Sequence, residues 1–230
     1  MDRRKLLANV SIFRDLGDET LDLLLAVTTT KRLEAKQVLF RKGDPGTRLY
    51  GVIEGRIKVS SAGADGREMV FGYFDPGEVI GEIALLDSNP RSATVVAMEP
   101  SELLSLDRRD FLPFLERHPK LAIHLGEILA ARLRRLSETA EDAMFLTLPS
   151  RLAKKLLGLA TNYGTKTRSG TLIALRLSQQ ELGELVGTSR ESINKQLRTW
   201  VQDELLQVER GKITILDWKG LEAFARFTLD

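Results

Sequence analysis

Between about Thr29 and Leu106 the apolar residues come in short runs broken by Gly, Asp and Pro, whereas on either side they recur every three or four positions. The runs include Gln37-Val38-Leu39-Phe40 before the turn Lys42-Gly43-Asp44-Pro45-Gly46, and residues 49–53 before Glu54-Gly55. Ile57-Lys58-Val59 precedes Gly63-Ala64-Asp65-Gly66, and residues 68–74, 93–97 and 101–106 continue the series around the turn Asp75-Pro76-Gly77-Glu78. Turn signals at a spacing of about 8–12 residues predict an antiparallel β-barrel or jelly roll. With helices on both sides, the chain reads as α+β.

On the N-terminal side, Leu6, Leu7, Val10, Ile12, Phe13 and Leu16 fall near helical spacing. A second short helix is expected from Asp18, with Leu21, Leu24 and Leu25 facing inward. Helical spacing returns at Arg108, where Phe111, Leu112, Phe114 and Leu115 predict a short helix ended by His118-Pro119. A long helix follows from Lys120 to about Phe145. Its stripe is Leu121, Leu125, Ile128/Leu129, Leu133, Leu136, Ala140 and Ala143/Met144, with Arg132, Arg134 and Arg135 between. Such a stripe can pair with its copy in a second subunit, the alternative being a helix packed wholly within its own chain. The expected division is residues 1–118 for the barrel domain, 119–146 for the long helix and hinge, and 147–230 for a second domain. There Thr147 is the expected N-cap of a helix reaching about Thr161, with Pro149 in its first turn. A polar connection over 162–170 then leads to a strand-like stretch at 172–177.

Composition removes several classes of chemistry. The chain has no cysteine, so disulfides, thiolate catalysis, zinc–cysteine sites and cysteine-ligated iron–sulfur clusters are excluded. Its two histidines, His118 and His124, lie six apart in a helical region, a poor spacing for two ligands on one face, and are expected to pack or face solvent. No apolar run approaches the roughly 18 residues of a membrane span. The basic start Met1-Asp2-Arg3-Arg4-Lys5 precedes an amphipathic stretch and not a signal-peptide core. A soluble cytoplasmic protein, with no membrane partner, is the expectation. Charge is uneven: residues 1–118 carry 17 Lys/Arg and 19 Asp/Glu, whereas residues 147–230 carry 13 and nine. A basic C-terminal part points to a polyanion.

Residues 178–206 sharpen that expectation. Ser178-x-x-Glu181 and Thr188-x-x-Glu191 are two capping boxes, each marking a helix start. Leu182, Leu185 and Val186 give the first helix an apolar face, and Gly187 ends it where a positive φ is cheap. Ile193, Leu197 and Trp200 or Val201 repeat the pattern. This is a predicted helix-turn-helix, against the plainer reading of a helical hairpin with a solvated face. In that motif the start of the second helix enters the major groove. Its exposed residues would be Ser189, Arg190, Glu191, Asn194, Lys195 and Arg198. Arg190 can donate twice to guanine, and Glu191 can accept from cytosine N4. Lys195 and Arg198 suit bases or phosphate, and Thr188 and Ser189 suit a phosphate oxygen at the helix start. A hairpin around Glu209-Arg210-Gly211-Lys212 would form a wing.

In residues 77–97, Gly81-Glu82 begins a short helix after a strand, so the N–H groups of Ile83 and Ala84 form an anion seat. Ile83, Ala84, Leu85 and Leu86 are expected to close that helix onto the barrel. Arg91, after the Asn89-Pro90 turn, can fork to two phosphate oxygens. An acid beside that cation can accept a sugar 2′-hydroxyl.

Gly81-Glu82-(x)8-Arg91-Ser92-Ala93-Thr94 resembles the phosphate-binding cassette of cyclic-nucleotide-binding domains. With the long helix and the winged helix-turn-helix, the chain is similar over roughly residues 10–218 to the cyclic-AMP-receptor branch of the bacterial CRP/FNR regulators. Ser-Arg-Glu-Ser at 189–192 is close to the family's DNA-reading signature. The resemblance implies that Glu82 holds the ribose 2′-hydroxyl. Arg91 and Ser92 would bind the cyclic phosphate, with backbone help from Gly81, Ile83 and Ala84. The long helix would present Leu136 and Ser137 to the base across a dimer interface. There the chain departs from the family, whose adenine-contacting threonine–serine pair is here Leu136-Ser137. One polar base contact is missing, so cyclic GMP stands beside cyclic AMP as ligand, and Ser92 could serve a syn guanine.

The implied partners are a second copy of the chain, a palindromic double-stranded DNA operator with TGTGA-like half-sites, and RNA polymerase. Ser178, Gln179, Thr188, Ser189, Arg190, Glu191, Asn194, Lys195 and Arg198 would touch the DNA. Two other readings stay open: a regulator of the same shape without cyclic-nucleotide dependence, and an enzyme using the barrel, for which no nucleophile–base pair or metal-ligand set is visible.

Overall fold

The computed structural model describes residues 3–63, 68–175 and 177–225. The expected turn at 63–66 lies outside them from residue 64 on, as do residue 176 of the expected strand and the side chain of Leu6. The chain divides between Leu133 and Arg134 into two compact units.

The first unit opens with α1 (Arg3–Asn9), a single 3-10 turn (Ser11–Phe13) and α2 (Asp18–Val27). Strands β1 (Thr28–Leu33), β2 (Val38–Phe40), β3 (Arg48–Glu54), β4 (Ile57–Ala62), β5 (Glu68–Phe74) and β6 (Val79–Ile80) follow. Then come α3 (Glu82–Asp87), β7 (Thr94–Ala97), β8 (Ser101–Asp107), α4 (Arg108–Arg117) and α5 (Pro119–Phe145), which continues into the second unit. The expected barrel is a pair of four-stranded antiparallel sheets, ordered β1-β8-β3-β6 and β2-β7-β4-β5. β1 escaped the sequence reading. Its four central residues, Thr29, Thr30, Lys31 and Arg32, are all exposed, so it has no apolar alternation to detect.

Period-2 alternation sends β3, β6 and β8 of the first sheet to two cores. Val52, Ile80 and Leu103 face inward with Leu33, Ile57, Phe74, Val95 and Ala97. Their neighbours Leu49, Val79, Leu104 and Leu106 face the helices, joining Leu7, Phe13, Leu24, Phe111, Leu121 and Leu125. Helices α1, α2, α4 and the start of α5 therefore back this sheet and hold β6 and α3 at its end. His118 stacks on Phe114 at 4.3 Å, and His124 Nε2 lies 3.3 Å from the exposed Asp15 carboxylate.

The second unit contains α6 (Leu148–Tyr163), β9 (Gly164–Lys166), β10 (Thr171–Ile173), α7 (Gln179–Val186), α8 (Arg190–Gln202), β11 (Leu206–Glu209), β12 (Lys212–Ile215) and α9 (Trp218–Ala225). The strands make one antiparallel sheet, β11-β12-β10-β9. Thr147 caps α6 as expected, its hydroxyl accepting from Ser150 N at 3.3 Å. The expected polar connection after α6 contains β9, an all-exposed edge strand with no apolar signal. The strand expected over 172–177 ends at Ile173. Leu175 and Leu177 are buried, which gave the run its strand-like look, but they lead into α7. Leu177 and Leu182 occupy the two positions of a hydrophobic staple around the α7 cap.

Candidate functional site

Gly81 makes the first site. At φ 82° it turns the chain sharply from β6 into α3, a left-handed conformation that favours glycine. A Cβ there would sit 2.6 Å from Arg91 Nη1 and 3.0 Å from the Arg48 carbonyl oxygen, so the backbone approaches the arginine as only glycine allows. Ala84 and Leu85 are buried and anchor α3. Ile83, expected to help close the helix onto the barrel, instead stays 44% exposed and lines the cleft. At its position on α3 the side chain points away from the face that Ala84 and Leu85 bury.

The cleft has an empty volume of ≈ 370 Å³, and Gly81, Glu82, Ile83, Ala84, Arg91 and Ser92 all line it. Arg91 is 5% exposed, yet among the described residues no carboxylate forms an ion pair with it. Its Nη1 donates to the Gly81 carbonyl at 2.9 Å and its Nη2 to the Arg48 carbonyl at 2.8 Å. Nε is buried without a partner. Burial holds the Arg91 pKa below the usual guanidinium value, with Tyr50, Glu82 and Asp44 pushing it back up. A guanidinium stays protonated through any such shift at neutral pH. A buried cation with an unused donor calls for an anion, and the residues present fit a phosphate.

Glu82, 3% exposed, points its carboxylate into the same cleft. There it pairs with Arg132 of α5, a residue that sequence reasoning placed only among the charges between stripe positions. Arg132 also donates from Nη2 to the Val79 carbonyl, and its guanidinium lies 4.8 Å from the centroid of Phe74. Leu136 and Ser137 follow on α5, both exposed in the single chain. Leu133, Leu136, Met144 and Phe145 on the same helix are 66, 45, 70 and 55% exposed.

The second site is the pair α7–α8. Ser178 caps α7 with the full capping box: its hydroxyl accepts from Glu181 N at 3.2 Å, and Glu181 Oε2 accepts from Ser178 N at 2.7 Å. Gly187 ends α7 in the left-handed region as expected. The second box does not form at Thr188. The Thr188 N–H is spent closing α7 onto the Gly183 carbonyl at 2.9 Å, so the cap moves one residue on. Ser189 caps α8, accepting from Ser192 N at 3.2 Å. Glu191 sits in the first turn, where its backbone N–H and the Ser189 hydroxyl hold its carboxyl below the usual range.

Ile193, Leu197 and Trp200 bury the inner face of α8, and Val201 is exposed. Arg190, Glu191, Lys195 and Arg198 form the exposed face. Asn194 is half-buried, with Gln179 Nε2 3.5 Å from its Oδ1. The β11–β12 hairpin turns through Arg210 and Gly211, both at positive φ, as the wing expectation required. Ser178, Gln179, Arg190 and Gly211 line one groove, which brings the start of α7, the start of α8 and the wing tip together.

Comparison with known proteins agrees with this architecture. Residues 30–118 match the family model described as a cyclic nucleotide-binding domain, and residues 150–224 match the Crp-like helix-turn-helix domain. The chain is 30% identical to a CRP-like cAMP-activated global transcriptional regulator of Mycobacterium tuberculosis, covering 96% of this chain and 99% of that one. It belongs to the CRP/FNR family of transcription regulators. It is also 31% identical to the cyclic AMP receptor protein of Thermus thermophilus, over 93% of this chain and 96% of the other. Among solved structures, the c-di-GMP responsive global regulator CLP of Xanthomonas campestris matches with a TM-score of 0.80 and 28% identity, covering 87% of this chain and all of that one. The family assigns the chain to DNA-binding regulators and not to enzymes. Among the described residues no helix is long and apolar enough to cross a membrane.

Proposed function

We propose that this CRP/FNR regulator is a homodimer gated by cyclic AMP, with cyclic GMP as a second ligand, and that it reads a palindromic operator through α8. Residues 1–118 serve as the nucleotide-binding domain, 119–146 as the dimerisation helix and hinge, and 147–230 as the DNA-binding domain. One observation carries the reading: Glu82 and Arg91, both buried, face one cleft, and a residue of the long helix already holds the Glu82 carboxylate.

In this reading Arg91 and Ser92 hold the cyclic phosphate, with the backbone of Gly81, Ile83 and Ala84. Glu82 accepts the ribose 2′-hydroxyl, and Leu136 and Ser137 meet the base. Arg132 must then share or release the carboxylate it grips, so occupancy of the cleft is felt at α5. The exposed positions Leu133, Leu136, Ala140 and Ala143 are spaced by three, four and three residues, the seam of a paired helix. Closing that seam against a second copy would set the distance between two recognition helices, which a palindrome fixes at about 34 Å. Pocket occupancy shifts this equilibrium only if the ligand prefers the DNA-competent arrangement.

The structural likeness to a c-di-GMP responsive regulator favours a second reading of the ligand. Against it, the cleft offers one buried guanidinium, whereas cyclic di-GMP carries two phosphates. Calorimetric titration with cyclic AMP, cyclic GMP and cyclic di-GMP, with and without operator DNA, separates these cases. We expect a mononucleotide to bind and to raise operator affinity. Binding of cyclic di-GMP alone would replace the proposed ligand, and operator affinity unchanged by any of the three would remove the gating.

Ser178, Gln179, Thr188 and Ser189 are proposed to meet phosphates, and Arg190, Glu191, Asn194, Lys195 and Arg198 to meet bases or the adjoining backbone. RNA polymerase is the partner proposed from the family. Arg190→Ala is expected to cost about 1–3 kcal/mol of operator binding and to relax the preference at one base pair per half-site. Fluorescence anisotropy against operators varied one position at a time measures both. A uniform loss over all sequences would demote Arg190 to a phosphate contact.

A further inference from the structure

Arg91 is held from its flank as well as by its hydrogen bonds. Its guanidinium carbon lies 4.1 Å from the centroid of Phe40 and 5.9 Å from that of Tyr50, and the two rings are 6.1 Å apart. Phe40 ends β2, and residues 41–47 then fold directly over the arginine's own backbone. Gly43 N donates to the Arg91 carbonyl at 2.9 Å, and Arg91 N donates to the Asp44 carbonyl at 2.8 Å. Lys42 N donates to Thr94 Oγ1 at 3.1 Å, and Arg41 N to Asp44 Oδ2 at 2.8 Å. Gly46 closes the stem side: a Cβ there would collide with Ala84 Cβ and lie 3.1 Å from both Cδ and Nε of Arg91. Face, stem and main chain of Arg91 are thus all held by Phe40 and the loop that follows it.

We propose that Phe40 is the positioning residue of the phosphate site. It seats the Arg91 guanidinium in its binding orientation before any ligand arrives. This inference rests on the reading of Arg91 as the phosphate-holding residue. Arginine has five N–H donors, and the two carbonyl bonds leave three uncommitted, the buried Nε–H among them. A free arginine side chain would lose much of its rotamer freedom on gripping an anion, and a seated one has lost it already. The aromatic face supplies that seat without competing for the donors, because attraction of a cation to a ring uses no N–H group.

The test combines a substitution series with a signal from the ligand-free protein. Phe40→Leu keeps an apolar side chain of similar reach and removes the ring; it is expected to weaken cyclic AMP binding by roughly 5- to 30-fold, the range a desolvated cation–π contact supports. Phe40→Tyr and Phe40→Trp are expected to restore affinity to within about threefold, because either ring still offers its face. In nitrogen-15 spectra of the ligand-free wild type, the Arg91 Nε–H signal should be ring-current shifted and protected from solvent exchange, and Phe40→Leu should abolish the shift. Wild-type binding with an unaffected Phe40→Leu variant overturns the inference, as does a loss that neither aromatic replacement rescues. An Arg91 signal at the position of an exposed arginine overturns it too, even if Phe40→Leu does not fold. Failure of the wild type to bind any cyclic nucleotide would instead sink the proposed function, while the spectrum still decides whether Phe40 seats Arg91.

Discussion

Arg91→Leu is expected to weaken cyclic-nucleotide binding by at least about 100-fold. Hydrogen bonds from a charged donor contribute roughly 1.5–3 kcal/mol each, and a phosphate gripped by a fork takes two of them. About 3 kcal/mol is the low end of that sum, and each 1.4 kcal/mol is a factor of ten. The substitution also leaves the Gly81 and Arg48 carbonyls facing an alkyl chain. Gly81 lines the open cleft and Arg48 is an exposed residue, so the fold should survive with a lower melting temperature. Calorimetry on the variant measures the loss. An affinity within tenfold of wild type would mean that the anion seat lies elsewhere.

Trp200→Ala is expected to destabilise the second unit by about 3–5 kcal/mol, the usual cost of emptying a buried aromatic site. Trp200 is fully buried and meets the Phe224 ring edge-on at 5.4 Å, pinning α8 to the body of its unit. In a domain of about 100 residues that loss lowers the melting temperature by about 12 °C or more. Phe is the informative comparison. Among the described residues the indole Nε1 has no hydrogen-bond partner, an unfavourable feature of about 1–3 kcal/mol that Phe lacks. Trp200→Phe should therefore cost well under half as much as Trp200→Ala. Calorimetric scans of the three proteins decide it; equal losses for Phe and Ala would show that the indole nitrogen is satisfied in solution.

What could be read from the chain beforehand was whatever is written locally. Ser178 and Glu181 cap α7 through atoms three residues apart, so four letters suffice to place that helix start. The turns between barrel strands are equally local, and so is the Gly81 hinge. The second cap shows the limit of such reading. The glutamate three residues after Thr188 marked that threonine as the cap, but Ser189, also a good capping type, holds the position. The choice was settled by a backbone bond to Gly183, five residues back, which no capping pattern contains. Strands β1 and β9 were missed because their exposed residues carry no alternation. Arg132 was missed for a longer-range reason. Its partner Glu82 lies 50 positions away, and on α5 it looks like any other solvated charge until β6 and α3 are folded against it.

If Glu82 accepts the ribose hydroxyl as proposed, that same pairing gives the protein an internal rival for its own signal. A side chain that occupies the nucleotide's acceptor in the unliganded chain lowers the fraction of molecules ready to bind, and apparent affinity falls by that fraction. A readiness penalty of about 1.4 kcal/mol makes the regulator respond at a tenfold higher concentration with no change in its phosphate contacts. On that proposal the strength of one arginine–glutamate contact, backed by the ring of Phe74, would act as a set-point. Evolution can retune the dose to which such a switch answers by altering α5 or β5, leaving the anion seat and the recognition helix as they are.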